Sequence, residues 1–164
     1  MASNMFIVLK DIKGESADDS NKDSIQVLSW SHSFNQPTSP TRSSAGSGTV
    51  EQANHSDFSF TKYIDAATDD LLKACWSGKQ IATATFSAYR SDGSNKAIKY
   101  LMVEMTGVLV SNFSIGGGTG DIPTETVTLS YSAVTYNYIQ QKSADGTAGG
   151  NQKIKHDLAA QTVS

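Results

Sequence analysis

Residues 27–34 read VLSWSHSF. Taken as a β-strand, the stretch sends Leu28, Trp30, His32 and Phe34 to one side and Ser29, Ser31 and Ser33 to the other. A strand with one large apolar face buries it and wets the opposite face, which normally carries Lys, Glu, Arg and Thr. Here the wet face holds serine alone. Two features of the fold follow: a sheet with one buried side, and an outer side that is polar yet uncharged.

Strand patterning extends through most of the chain. MFIVL (5–9) reads as a short first strand, GESADDSNKD (14–23) as an acidic solvated connection, and 25–34 as one continuous strand. IATATFSAYR (81–90) alternates and ends at SDGSN, a hairpin signal. AIKYLMVEMTGVLVSNF (97–113) is long, β-branched and interrupted by Gly107, a candidate bulge. GGGTGDIP (116–123) is a glycine-rich loop, TETVTLSYSAVTYNYIQ (124–140) another long strand, and 152–158 a short edge strand. One helix interrupts the series. Thr68 suits its N-cap, Asp69 and Asp70 its first turn, Leu71, Leu72, Ala74 and Cys75 its apolar stripe, and Gly78 its C′ position. Seven or more strands with a single helix predict a mainly β fold, a barrel or sandwich of antiparallel sheets.

Length and charge narrow the function. A chain of 164 residues with 38% hydrophobic content buries its own core as one domain. The net charge of −3, without a run of Lys or Arg, argues against nucleic acid and against a membrane surface. Cys75 is the single cysteine, so neither an internal disulfide nor a multi-cysteine metal site is expected. The start, MASNMFIVLK, has neither a basic region nor a signal-length apolar core, which leads to the expectation of export, if any, without a cleaved signal.

Catalytic patterns are scarce. His32, His55 and His156 are far apart in sequence and lack a His-x-x-x-His pair; no G-x-S-x-G elbow occurs. His32 reads as a hydrogen-bonded core or interface histidine. The glycines at 116–120 lack the Lys-Ser/Thr of a phosphate loop, and Glu15, Asp18, Asp19 and Asp23 miss the EF-hand spacing. Catalytic, cofactor and metal residues are therefore all expected to be none. PTSPTRSSAGSGT (37–49) is almost entirely Pro, Thr, Ser and Gly, so an extended flexible loop is expected at about 36–56.

Five ordered blocks carry a resemblance. MFIVLKDIKGES, VLSWS, HSDFSFTKYIDAATDDLLKACWSGK (55–79), YLMVEMTGVLVSNFS and PTETVTLSYSAVTYNY resemble the haemolysin-coregulated protein (Hcp) family, the tube protein of type VI secretion systems. The resemblance spans nearly the whole chain. It implies a non-enzymatic structural subunit, a single barrel domain over 1–164, and a homo-hexameric ring. It further implies head-to-tail stacking of rings into a tube, with a spike, a contractile sheath and small effectors in the lumen as partners. Synthesis in the cytoplasm of a Gram-negative bacterium and secretion without a signal peptide are also implied, and ending at Ser164 leaves no toxin extension. On this reading Ser29, Ser31 and Ser33 face the lumen and its effectors, with Thr83/Thr85/Ser87 and Thr126/Thr128/Ser130/Ser132 as possible extensions of that wall. Pro37, Thr38, Ser39, Pro40, Thr41, Arg42, Ser43 and Ser44 form the ring-stacking loop. A competing reading is a monomeric β-sandwich that binds a carbohydrate or other ligand through Tyr89, Tyr100, Tyr136 and Tyr138; a hydrolase with an unrecognised serine site is a third.

Overall fold

The computed structural model describes residues 4–37, 52–91, 97–142 and 148–164. Twelve strands and one helix follow in the order β1 (Asn4–Leu9), β2 (Ile25–Gln26), β3 (Ser29–Ser31), β4 (Phe34–Asn35), β5 (Asn54–His55), β6 (Phe58–Tyr63), α1 (Thr68–Ser77), β7 (Ile81–Ser91), β8 (Ala97–Gly116), β9 (Thr124–Ser130), β10 (Ala133–Gln141), β11 (Ala148–Asp157) and β12 (Thr162–Val163). Every pairing is antiparallel. A long sheet runs β12-β11-β10-β8-β7-β1-β2, and a shorter one runs β3-β6-β9-β8. β8 belongs to both, so the two sheets are continuous along it and enclose one core.

Three segments that look continuous in sequence cross from one sheet to the other. The first is the opening stretch. Val27 N–H donates to Met5 O in the long sheet, and the next residue, Leu28, donates to Thr61 O in the short one. The crossing resets the alternation: Val27 is buried, whereas Leu28 and Ser29 are both exposed. The expected single strand over 25–34 is therefore three short strands, β2, β3 and β4, in three ladders. Of its four large side chains, two join the sheets: Trp30 lies 5.6 Å from the Phe58 ring and 4.9 Å from the Phe86 ring, and His32 lies between Phe58 and Tyr136. Leu28 is 38% and Phe34 51% exposed, which corrects their assignment to the core.

The second crossing is Gly107, in the left-handed region at φ 61. Thr106 still pairs with Ala133 in the long sheet, and Leu109 already pairs with Ser130 in the short one. The positive φ favours glycine here, and a Cβ would press on the Ser132 hydroxyl. The expected bulge at Gly107 is instead this corner; the nearby register shift falls between Val110 and Asn112. The third crossing, at Tyr131–Ser132, divides the expected strand 124–140 into β9 and β10.

Inside, strand alternation buries Phe58, Phe60, Val127 and Leu129 from the short sheet against Ile7, Leu9, Phe86, Val103 and Met105 from the long one. Between them sits a charged pair. Lys62 and Glu125 are direct cross-strand partners, and both side chains are completely buried. The Lys62 Nζ lies 2.6 Å from Glu125 Oε2 and 2.8 Å from Asp65 Oδ1, and donates to Tyr63 O at 3.1 Å. Thr68 Oγ1 donates to Glu125 Oε1 at 2.8 Å. That bond explains why Thr68 is not the N-cap. The cap position is Ala67, without a side-chain bond, and Thr68 turns its hydroxyl to the carboxylate beneath the first turn. Gly78 ends the helix as expected, at φ 63, with its N–H on Ala74 O.

A buried charge left without its partner costs far more than an apolar pair in its place. Glu125→Gln or Lys62→Met alone is expected to lower the unfolding free energy by about 3–5 kcal/mol. The double replacement Lys62→Met/Glu125→Leu recovers most of that loss. Urea unfolding of the three variants checks the pattern, and additive losses in the double variant contradict it.

Candidate functional site

The outer side of the short sheet is tiled with hydroxyl and amide groups. Because Phe58, Phe60 and Lys62 point inward, Ser59, Thr61 and Tyr63 point outward; likewise Thr124, Thr126 and Thr128 alternate with Glu125, Val127 and Leu129. Register then aligns them in rows across four strands. One row is Ser31–Ser59–Thr128–Asn112, the next Ser29–Thr61–Thr126–Ser114, and a shorter one Tyr63–Thr124–Gly116. Neighbouring hydroxyls bond one another: Ser59 to Thr128 at 2.8 Å and Thr61 to Thr126 at 3.4 Å. None of these positions is charged. Beyond the third row lies an open depression of about 560 Å³, lined by Tyr63, Gly116, Gly117, Gly118, Gly120, Asp121, Ile122 and Thr124.

This geometry sorts the residues singled out from sequence. Ser29 and Ser31 lie in the tiled face, and Thr126, Thr128 and Ser130 share their sheet. Ser33 is exposed but sits past β3, where its N–H donates to Ser56 Oγ. Thr83, Thr85 and Ser87 belong to β7 of the long sheet, a separate surface, and Ser87 is buried. Pro37 ends a described stretch, and Thr38, Ser39, Pro40, Thr41, Arg42, Ser43 and Ser44 lie outside the described residues. The ends of the expected loop at about 36–56 are joined by the β4–β5 ladder, Phe34 opposite His55 and Asn35 opposite Asn54. Sequence reasoning missed Ser59, Thr61, Asn112 and Ser114, although the alternation in FSFTKY was there to be read.

The three histidines, distant in sequence, meet. His32 Nδ1 is 2.5 Å from Tyr136 Oη, and His32 Nε2 lies 2.6 Å from Tyr131 Oη and 3.1 Å from Ser56 O. His55 Nδ1 is 2.8 Å from Tyr131 Oη, and its Nε2 2.7 Å from His156 Nδ1. Burial, then the neighbouring His55, pulls the His32 imidazole down to about 4. Burial and then His156 lower His55 as well. Burial pushes the Tyr136 phenol up to about 12 and Tyr131 upward too, so both stay protonated. Among the described residues, no three His, Cys, Asp or Glu side chains are arranged to hold a metal ion. The cluster is a hydrogen-bonded string of three histidines and two tyrosines.

The description "Type VI secretion system effector, Hcp" belongs to the family whose model matches residues 6–138. The chain belongs to the Hcp family. It is 42% identical over 151 residues to Protein hcp1 of Pseudomonas aeruginosa, covering 92% of this chain and 91% of that one. Among solved structures it is similar to a type six secretion system protein, with 28% identity and a TM-score of 0.89 over 99% of this chain and 100% of the other. Hcp1 from Salmonella typhimurium is 31% identical with a TM-score of 0.80, and each chain is covered fully. The chain is thus a tube subunit of a type VI secretion system. The carbohydrate-binding reading finds no support. Three of its four tyrosines are engaged separately, Tyr89 with Asn21 and Phe6, Tyr100 under Arg90, and Tyr136 with His32, and Tyr138 is half-exposed. Among the described residues, no helix is long and apolar enough to cross a membrane.

The hydroxyls of the tiled face keep access to water, so they contribute little to stability. Ser59→Ala with Thr128→Val is expected to change the unfolding free energy by less than about 1 kcal/mol. Chemical denaturation decides it: a loss several times larger makes the ladder of hydroxyls a structural feature of the sheet rather than a surface.

Proposed function

We propose that the subunit acts as a hexameric ring whose lumen is lined by the tiled face, and that rings stack head to tail into the secretion tube. The observation that carries this reading is the uncharged face itself, found in a chain with 29 charged side chains, 13 basic and 16 acidic. A lumen wall of small hydroxyls stays hydrated, does not hold a passing protein by charge, and still offers hydrogen bonds to a resident one. Ser29 and Ser31, with Ser33 beside them, are the effector-facing residues in this assembly. The chain functions as one barrel domain over 1–164 with its loop at about 36–56. It works without catalysis, metal or cofactor and binds no nucleic acid.

The partners follow from that role: a spike at the tube's tip, a contractile sheath around it, and small effector proteins within. The subunit is made in the cytoplasm of a Gram-negative bacterium and secreted by that machine. Pro37–Ser44 reach the neighbouring ring, a heterologous contact that extends rings into an open filament.

Light scattering after size exclusion is expected to give a hexamer mass, and negative-stain images a ring with a central hole; a stable monomer contradicts the proposal. Gold attached through Ser31→Cys is expected inside that hole, and label on the outer rim overturns the lumen assignment. Deleting residues 38–48 is expected to leave rings intact and to shorten or abolish stacks in electron micrographs; unchanged tubes remove the loop from stacking.

A further inference from the structure

The β4–β5 ladder belongs to neither large sheet. The histidine string fastens it to the long one. Donor accounting sets the direction of each bond. Ser56 O can only accept, so His32 Nε2 carries its proton, and His32 Nδ1 accepts from the Tyr136 hydroxyl. Tyr131 Oη then accepts from His32 Nε2–H and donates its own proton to His55 Nδ1. That leaves His55 Nε2–H to donate to His156 Nδ1. Every bond in the string then has one donor and one acceptor. Rings of the ladder side (His32, Phe34, His55) pack against rings of the barrel side: Phe34 lies 5.9 Å from Tyr136, and His55 lies 4.6 Å from His156.

We propose that this string is a proton-sensitive clasp: with each bond directed as above it holds the β4–β5 ladder on the barrel, and protonation of His55 releases it. A proton on His55 Nδ1 meets the Tyr131 hydroxyl proton that this nitrogen now accepts, setting two donors head to head. The sign follows from the lowered His32 and His55 values: the folded form resists protonation, so the clasp is complete above about 6.5 and is lost as pH falls toward 4.

The surrounding groups act in the same sense, with two exceptions, the Ser56 carbonyl and Asp57. Tyr131 and Tyr136 from the β10 side stay neutral throughout. Asp57, entering β6, favours a charged His32, but less than burial and His55 oppose it. Lys155 and Asp157 flank His156 on β11 and project to the other face of the sheet.

Hydrogen-exchange mass spectrometry of the full chain, corrected for the intrinsic pH dependence of exchange, tests the clasp at pH 7 and pH 4.5. Peptides covering 31–37 and 52–57 are expected to exchange at least tenfold faster in acid, while Val103 and Met105 in β8 stay protected. Tyr131→Phe removes the central hydroxyl and is expected to produce the fast exchange already at pH 7, again with β8 protected. Equal protection at both pH values overturns the proposal. So does a Tyr131→Phe chain that behaves like the parent, or acid exchange that rises in β8 as much as in the ladder.

Discussion

The Lys62–Glu125 pair constrains more of this protein than any apolar contact does. Two opposite charges in a dry interior are tolerable only at short range and with their remaining hydrogen-bonding capacity filled. Here Glu125 Oε1 takes the Thr68 hydroxyl and Oε2 takes the ammonium, with no other partner among the described residues, while the ammonium also reaches Asp65 and Tyr63 O. Each partner comes from a different part of the fold: β6, β9, the first turn of α1 and the connection before it. A one-residue slip between β6 and β9 therefore moves a charge to the wrong face and opens the helix contact at the same time. Register between these strands is set by electrostatics as well as by packing.

That register decides what the opposite face presents. Side chains alternate with period two, so fixing Lys62 and Glu125 inward fixes Thr61 and Thr126 outward, and with them Ser59 and Thr128. The hydroxyl rows are the reverse side of the buried ion pair. The crossings complete the arrangement. At Val27–Leu28 the chain leaves the long sheet in time for Ser29 and Ser31 to join the rows, and Gly107 brings the second half of β8 around to add Asn112 and Ser114. A continuous strand through 25–34 would keep these serines in a different sheet from Thr126 and Thr128.

This explains which parts were legible in the sequence. Element type was, because alternation in IATATFSAYR and the Asp69–Gly78 helix pattern are local signals. The family was, through five ordered blocks. The crossings were not: within VLSWSHSF the side chains alternate smoothly, and only the handover of Leu28 N–H to Thr61 reveals that the alternation restarts. Gly107 and the Ser130–Ala133 step were visible as residues but were read as a bulge and as mid-strand, since sequence alone does not say which sheet a strand enters. Thr68 was assigned by its local preference for capping, which lost to a carboxylate 57 positions away. The histidine string was missed for the same reason, its members lying as much as 104 residues from their partners.

The serines of residues 27–34 and the histidine between them answer opposite needs. Ser29 and Ser31 lie on a surface whose hydroxyls add little to the fold, so the fold leaves their identity free. His32, one residue on, is held by three partners in a network where one misplaced proton leaves a donor facing a donor. Strand geometry makes this adjacency possible, because consecutive residues serve opposite faces. A small polar side chain suits the face that stays in contact with water. A directional one suits the face that must hold the end of β3 and the start of β4 in place.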